Sequence, residues 1–128
     1  TEGYANLDNM AQNFQSGDFL VFQLEAGFAL LRVLRSDSAD DEIIWHVSAY
    51  ADFFLDVDTA ESASASPGDL SLSNCHIALT NRAFESTQVA KISNIPLTDA
   101  EIEPLNMWEN DPDREISDRS VRLMLGLR

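Results

Sequence analysis

One cysteine and two histidines are the first candidates for nucleophilic or acid–base chemistry in this sequence. Cys75 and His76 are adjacent, and His46 lies far earlier in the chain. Adjacent residues on a strand point to opposite faces, so Cys75 and His76 are badly placed to act as nucleophile and base. His46 would serve Cys75 only if the fold joined them. The pattern favours a small, buried, apolar role for Cys75 and predicts no catalytic residue and no enzyme.

Two short carboxylate motifs resemble the opening of a calcium-binding loop. They are Asp56-Val57-Asp58 and Asp111-Pro112-Asp113. Neither has the glycine at position six or the glutamate at position twelve that such a loop requires. The sequence also lacks a phosphate-binding glycine loop, a dinucleotide fingerprint and a helical histidine pair for zinc. We therefore predict no metal site and no cofactor.

The aromatic side chains divide into core candidates and one surface candidate. Trp45, Phe53 and Phe54 lie in an apolar block, which is typical of residues that fill a core. Trp108 lies among polar residues next to Glu109, and a tryptophan beside acids is a common anchor of a protein interface. The alternative for Trp108 is a structural plug at the end of the fold.

Charge is the most unusual property of the chain. Twenty-two acidic residues face eight basic ones, which gives a net charge of -14 and a pI near 4.1. Such a surface repels nucleic-acid phosphates and anionic membranes, and it attracts a basic protein. The alternative is that the acidity serves solubility alone or reflects a salt-adapted organism.

The acids are grouped rather than spread evenly. No lysine or arginine lies between Arg35 and Arg82, and a second acidic run from 99 to 115 is relieved only by Arg114. Grouped charges make a directional field that can attract a partner. The alternative is that the two acidic runs are solvated loops that bind no partner. We predict that the partner-binding residues are Asp37, Asp40, Asp41, Glu42, Asp56, Asp58, Trp108, Glu109, Asp111 and Asp113.

Length and cysteine content predict a single domain, 1–128, in a reducing compartment. A chain of 128 residues favours one core. One cysteine allows no internal disulfide and is usual for cytoplasmic proteins. No secretory signal is visible at the start, and Arg32 and Arg35 interrupt the longest apolar run, so we expect no membrane span.

Hydrophobic patterning predicts mostly β-structure. Residues 19–24 and 28–35 favour two strands joined at Glu25-Ala26-Gly27, with Gly27 in the left-handed position of a bulge. The first strand is apolar on both faces, so we expect it inside the fold. Residues 35–42 predict a polar turn, and further strands are predicted within 43–57, 70–80, 86–96 and, at the end of the chain, 117–128.

Helices are predicted near the N-terminus and around residues 98–109, and a short helix is the alternative to a strand for the last segment. Residues 1–16 have apolar residues at roughly helical spacing. Thr98 and Glu101 form a capping-box pattern, and Pro104 predicts that this helix is short or ends early. Residues 58–69 predict a long exposed loop. The fold class is therefore α+β and mainly antiparallel β, a small curled sheet or barrel-like domain with one or two short helices.

Two segments resemble a bacterial immunity-protein family of polymorphic-toxin systems. In "GDFLVFQLEAGFALLRVL" the matching residues are Gly17, Asp18, Gly27, Arg32 and Val33. In "VAKISNIPLTDAEIEPLNMWENDPD" they are Ile95, Pro96, Leu97, Pro104, Trp108 and Asp111. The resemblance implies a small β-rich domain that binds and blocks a cognate toxin and has no active-site residues.

The sequence as a whole predicts a non-enzymatic acidic protein-binding domain, an immunity-like inhibitor of a basic toxin. One alternative is a regulatory module that mimics nucleic acid, with carboxylates in rows at phosphate-like spacing. Another is a small enzyme using His46 or His76, which requires a cleft with a histidine and a carboxylate within hydrogen-bond reach. The oligomeric state is left open.

Overall fold

The structure, a computed structural model, describes residues 14–39 and 42–121. Its five strands form one sheet in the order β4-β3-β2-β1-β5. The strands are β1 (Asp18–Leu24), β2 (Gly27–Ala39), β3 (Glu42–Phe54), β4 (Leu72–Thr80) and β5 (Ala90–Asn94). The helices are α1 (Val57–Ser64), α2 (Asn81–Thr87) and α3 (Asp99–Glu109), with a 3-10 turn at Pro67–Asp69.

Every neighbouring pair of strands in this sheet is antiparallel. Strands β1 to β4 form a meander, and β5 returns to pair with the free side of β1. The predicted α+β class with a mainly antiparallel sheet is confirmed. Among the described residues β4 and β5 are the edge strands, and β4 is joined on its outer side by a single parallel bridge between Leu79 and Ser117, so the structure is a sheet rather than a barrel. The described residues contain three α-helices rather than one or two.

Both faces of the sheet are covered, because its central strands are apolar on both sides. On the first face Leu31 and Val47 pack under Phe84 of α2, whose ring stacks on Trp45 with centroids 4.3 Å apart. The second face has its own apolar cluster, which consists of Phe19, Val21, Leu30, Tyr50 and Ala60 of α1. The prediction that β1 lies inside the fold is confirmed.

The predicted hairpin between β1 and β2 is confirmed, with a different role for its glycine. Leu24 pairs with Gly27 across a two-residue turn. The φ of Gly27 is +158°, far from the left-handed helical region, so the predicted left-handed bulge is wrong. A Cβ on Gly27 would lie 2.5 Å from the carbonyl oxygen of Phe54, so close approach to β3 requires glycine.

The segment predicted as a long exposed loop contains helix α1, so that prediction is wrong. Asp56 caps the helix by accepting a hydrogen bond from the backbone N–H of Thr59 at 2.7 Å. Ala60 and Ser64 are fully buried against the second face. Their small side chains allow the helix to approach the sheet closely, and the same small, polar composition suggested a loop when read without the sheet.

The strands and helices differ from the predictions at two further places. Both β2 and β3 extend into the predicted turn, to Ala39 and from Glu42. Helix α2 was not predicted, and Thr80 caps it by accepting a hydrogen bond from Ala83 N–H. The predicted N-terminal helix lies almost entirely outside the described residues, and so does most of the predicted last strand.

Helix α3 begins as predicted and continues past its proline. Thr98 and Glu101 form the complete capping box. Pro104 lies within the helix, which ends at Glu109, so the prediction of a short helix around residues 98–109 is confirmed. Leu105 is buried directly after the proline, and such packing offsets the one backbone hydrogen bond that a proline removes.

A buried arginine joins α3 to the sheet. The guanidinium of Arg32 on β2 donates to the Glu101 carboxylate and to the carbonyl oxygens of Ile95 and Pro96, at 2.6 and 3.2 Å. Its Cζ lies 4.6 Å from the centre of the Phe19 ring. Arg32 is fully buried, so these partners are what compensate its loss of water.

Replacing Arg32 with methionine is expected to lower the free energy of unfolding by about 3 kcal/mol. The substitution leaves the Glu101 carboxylate and two carbonyl oxygens without their donor. The matched control is Arg82→Met, which removes an exposed ion pair with Asp118 and is expected to cost at most about 0.5 kcal/mol. Urea denaturation measures both, and equal losses would contradict the role assigned to Arg32.

Candidate functional site

The predicted partner-binding residues separate into two groups on the second face of the sheet. Asp56 and Asp58 lie at the start of α1, which covers the end of the face that includes Leu30. Most of the others lie around α3, which covers the end that includes Arg32: Asp37, Trp108, Glu109, Asp111 and Asp113. Glu42 is exposed at the start of β3, and Asp40 and Asp41 lie outside the described residues.

The first group borders an exposed apolar corner between β3 and α1. Phe53 is 58% exposed and Leu55 is 87% exposed, and Val57 is also exposed. The prediction that Phe53 fills the core is therefore wrong, whereas Phe54 packs against the second face. We call Phe53, Leu55 and Val57, with the neighbouring carboxylates of Asp52, Asp56 and Asp58, the acidic corner.

The backbone of the acidic corner is held by specific contacts. Asp56 accepts hydrogen bonds from the N–H and the hydroxyl of Thr59, and these bonds hold the pKa of its carboxyl below the usual value. Asp52 accepts a hydrogen bond of 2.7 Å from the N–H of Ser71. The apolar side chains thus project from an ordered turn rather than from a loose loop.

The second group surrounds a chain of hydrogen bonds that the sequence did not reveal. His46 Nε2 lies 3.0 Å from a carboxylate oxygen of Asp37, and His46 Nδ1 lies 2.9 Å from Nε2 of His76. The three residues stand on adjacent strands: Asp37 on β2, His46 on β3 and His76 on β4. We call them the histidine relay.

Burial decides the protonation of the two histidines. Burial lowers the pKa of His46, and this effect outweighs the opposing effect of the hydrogen bond that His46 donates to the Asp37 carboxylate. Burial and the nearby charges of His46 and Arg35 lower the pKa of His76 to about 4. Both rings are therefore neutral at neutral pH.

Arg35 compensates the carboxylates around the relay. It forms ion pairs with Asp37 at 2.8 Å and with Glu109 of α3 at 2.9 Å. Burial raises the pKa of the Asp37 carboxyl, but the hydrogen bonds from Arg35 and His46 outweigh burial and hold it below the usual value. Asp37 and Glu109 are thus already partnered inside the molecule.

Trp108 covers the relay. Its ring centre lies 4.9 Å from that of His46 and 5.5 Å from that of His76. The indole N–H donates to the carbonyl oxygen of Glu115 at 2.9 Å. Trp108 is half-buried: it packs on the sheet and presents ring surface beside a cleft, and its role as an interface anchor stays a prediction.

A cleft of about 780 Å³ opens between β4 and the segment that follows α3. His76, Asn74 and Trp108 line its inner side, and Asp111, Asp113, Arg114, Glu115 and Arg119 are among the residues of the outer side. A volume of this size is typical of small-ligand sites. Asp111 and Asp113 therefore lie at a cleft rather than on an open loop.

Cys75 lies outside this cleft. Strand alternation places it on the opposite face from His76, as predicted. Its side chain is exposed, so the prediction of a buried cysteine is wrong. β4 is an edge strand whose outer part reaches beyond the cover of α2, which explains the exposure.

Two features of these sites were missed from sequence alone: the hydrogen bonds that join the two histidines to each other and to Asp37, and the exposure of Leu55. His46 and His76 each interrupt an apolar strand, and a polar residue at such a position signals a buried partner. That signal does not name the partner, since strand order is not visible in the sequence. Leu55 directly precedes the cap Asp56, and a correct helix start would have placed it in an exposed turn.

The chain matches no protein-family model, no curated protein and no solved structure. Among residues 14–39 and 42–121, no helix is long and apolar enough to cross a membrane. In the same residues, no three His, Cys, Asp or Glu side chains are grouped so that they could hold a metal ion.

The lowered pKa of His76 predicts how stability depends on pH. A histidine of the unfolded chain titrates near 6.5, whereas folded His76 titrates at about 4. Between these values the unfolded chain binds more protons, so stability decreases as the pH falls from about 6.5 to about 4. Urea denaturation across this range is expected to show that decrease, and His76→Phe is expected to make it shallower.

An NMR titration of the ring protons provides the direct control. His76 is expected to stay neutral down to about pH 4. A midpoint near 6.5 would contradict the geometry of the relay, because it would mean that neither burial nor the facing groups His46, Arg35, Asp37 and Glu109 act on the ring.

Proposed function

We propose that this chain is a non-enzymatic domain that binds a basic protein through the acidic corner. The observation that carries the proposal is the exposure of Phe53, Leu55 and Val57 on an ordered turn among carboxylates. Exposed apolar groups rimmed by polar ones are typical of protein interfaces. Burying one such side chain contributes about 1.5–3 kcal/mol.

The charge around the corner favours a basic partner. Asp52, Asp56 and Asp58 lie in the stretch between Arg35 and Arg82 that has no lysine or arginine. Arg35, the nearest base before it, is already paired with Asp37 and Glu109. A field of one sign speeds the encounter with an oppositely charged surface, and apolar contact then slows dissociation.

The most specific form of the proposal is an immunity-like inhibitor of a basic toxin. Support comes from the residues that resemble such a family, several of which meet in the structure. Arg32 binds the carbonyl oxygens of Ile95 and Pro96, and Gly17 and Ile95 share a backbone hydrogen bond of 3.0 Å. These residues would hold the scaffold, and the acidic corner would contact the toxin.

The histidine relay supports the small-enzyme alternative less well. It has the required histidine and carboxylate at 3.0 Å beside a cleft. Both ring nitrogens of His46 are engaged, and the ring is fully buried. His76 reaches the cleft, but a pKa of about 4 makes it a weak proton acceptor at neutral pH. The geometry therefore favours binding over catalysis.

The proposal is tested by capture of a basic partner. The whole, unfractionated native lysate is passed over the immobilised chain at low salt, and the retained species is identified. The affinity of the retained protein for the chain is expected to fall at least tenfold in the double variant Phe53→Ser, Leu55→Ser. The variant lacks two apolar side chains that the partner would bury. The matched control is Met107→Ser, which changes an apolar side chain that is 65% exposed on α3.

Salt separates the charge contribution from the apolar one. Rising salt is expected to slow association of the identified partner and to leave dissociation nearly unchanged. Asp52→Asn with Asp58→Asn is expected to slow association in the same way, and Asp56 is left intact because it caps α1. An acidic partner, salt-independent binding, or an equal loss in Met107→Ser would refute the proposal.

A further inference from the structure

We propose that the cleft beside His76 is a binding site for an organic cation. An ammonium or guanidinium group would donate a hydrogen bond to Nδ1 of His76 and lie against the indole of Trp108. The site lies at the α3 end of the second face, away from the acidic corner, so this inference holds or fails independently of the proposed function.

The first support is the direction of the hydrogen bonds in the histidine relay. An ionised carboxylate only accepts hydrogen bonds, so Asp37 requires the proton of His46 on Nε2. His46 Nδ1 is then an acceptor and requires the proton of His76 on Nε2. His76 Nδ1 is left with a lone pair. In the described part of the chain this atom has no hydrogen-bond partner.

The second support is that this acceptor is fixed in place before a ligand arrives. His76 is held by the hydrogen bond to His46 and by Trp108 above both rings. His46 is in turn held by Asp37, which Arg35 orients. Burial keeps the His76 ring neutral by lowering its pKa. A positioned, neutral acceptor loses little freedom on binding a donor.

The third support is the ring of Trp108. Its N–H is bound to the carbonyl oxygen of Glu115, so the orientation of the indole is set. The guanidinium of Arg114 lies over this ring, with its Cζ 5.6 Å from the ring centre. A cation of this chain therefore already occupies a face of the indole, which shows that the ring attracts a cation, and a ligand cation would take the place of the Arg114 guanidinium there.

Charge decides between classes of ligand. Asp111, Asp113 and Glu115 line the cleft against Arg114 and Arg119, while Asp118 is already paired with Arg82. An anion would meet these carboxylates and the lone pair of His76, which offers no proton. A cation with N–H donors satisfies the lone pair, the aromatic ring and the carboxylates together. The cleft of about 780 Å³ has room for more than the head group alone.

The ammonium or guanidinium group of the ligand could belong to either of two kinds of molecule. One is a free polyamine, and the other is a protein with an accessible lysine or arginine side chain. Three probes separate them: methylguanidinium for the head group, spermidine for a free polyamine, and a blocked peptide with a single arginine. Tighter binding of spermidine would assign the site to small molecules, and tighter binding of the peptide would assign it to a protein side chain.

The first experiment measures the tautomer of His76 in the unaltered protein. Nitrogen-15 NMR at neutral pH is expected to show a proton on Nε2 and a bare Nδ1, whose signal shifts when methylguanidinium is added. The indole signal of Trp108 is expected to shift with it, and that of Trp45 in the core is expected to stay unchanged. A proton on Nδ1 of His76 would overturn the proposal, and this result needs no variant to fold.

The second experiment compares variants by titration with the same probes. His76→Phe keeps a ring beneath Trp108 and removes the acceptor, so affinity is expected to fall about tenfold or more. Cys75→Ser changes the neighbouring exposed residue on the other face and is expected to bind as the unaltered protein does. Acetate is expected not to bind. Unchanged affinity in His76→Phe, or binding of acetate in place of the cations, would overturn the proposal.

Discussion

The fold depends on the buried positive charge of Arg32, which needs an anionic partner and hydrogen-bond acceptors inside the protein. Arg32 lies on a central strand with no access to water, and its guanidinium is satisfied only if the β5–α3 connection and α3 are in place. Glu101 contributes both of its oxygens, one to Arg32 and one to the backbone N–H of Thr98. The cap of α3 and the ion pair with the sheet therefore form together, which fixes the position of the helix.

That position creates the histidine site. With α3 placed by Arg32, Glu109 meets Arg35 and Trp108 covers the two histidines. The apolar contact of this helix is modest, since Leu105 is its one buried residue. Charge and hydrogen bonding thus hold α3, whereas α2 is held mainly by the apolar packing of Ala83 and Phe84, and α1 by Ala60 and a hydrogen bond between Ser64 and Ser93. The second face of the sheet consequently carries α1, whose start borders the acidic corner, at one end and the polar cleft at the other.

The acidic residues include two groups, those that form ion pairs with arginines of this chain and those that have no base nearby in the sequence. Asp37, Glu101, Glu109 and Asp118 all face arginines of this chain, so much of their charge is compensated locally. Asp52 and Asp58 have no base nearby in the sequence. The total of -14 therefore says less about recognition than the few carboxylates that remain next to exposed apolar side chains.

The sequence by itself determined the elements whose signals are local. The β1–β2 hairpin, the antiparallel class and the capping box of α3 follow from strand patterning and from Thr98 and Glu101. Helix α1 was missed because Ala60 and Ser64 stabilise a helix only through close packing on the sheet, which the sequence does not show. The tertiary structure alone decided which of Asp37, His46 and His76 share hydrogen bonds. Those contacts depend on strand order, and strand order is set by packing between distant segments rather than by any local pattern.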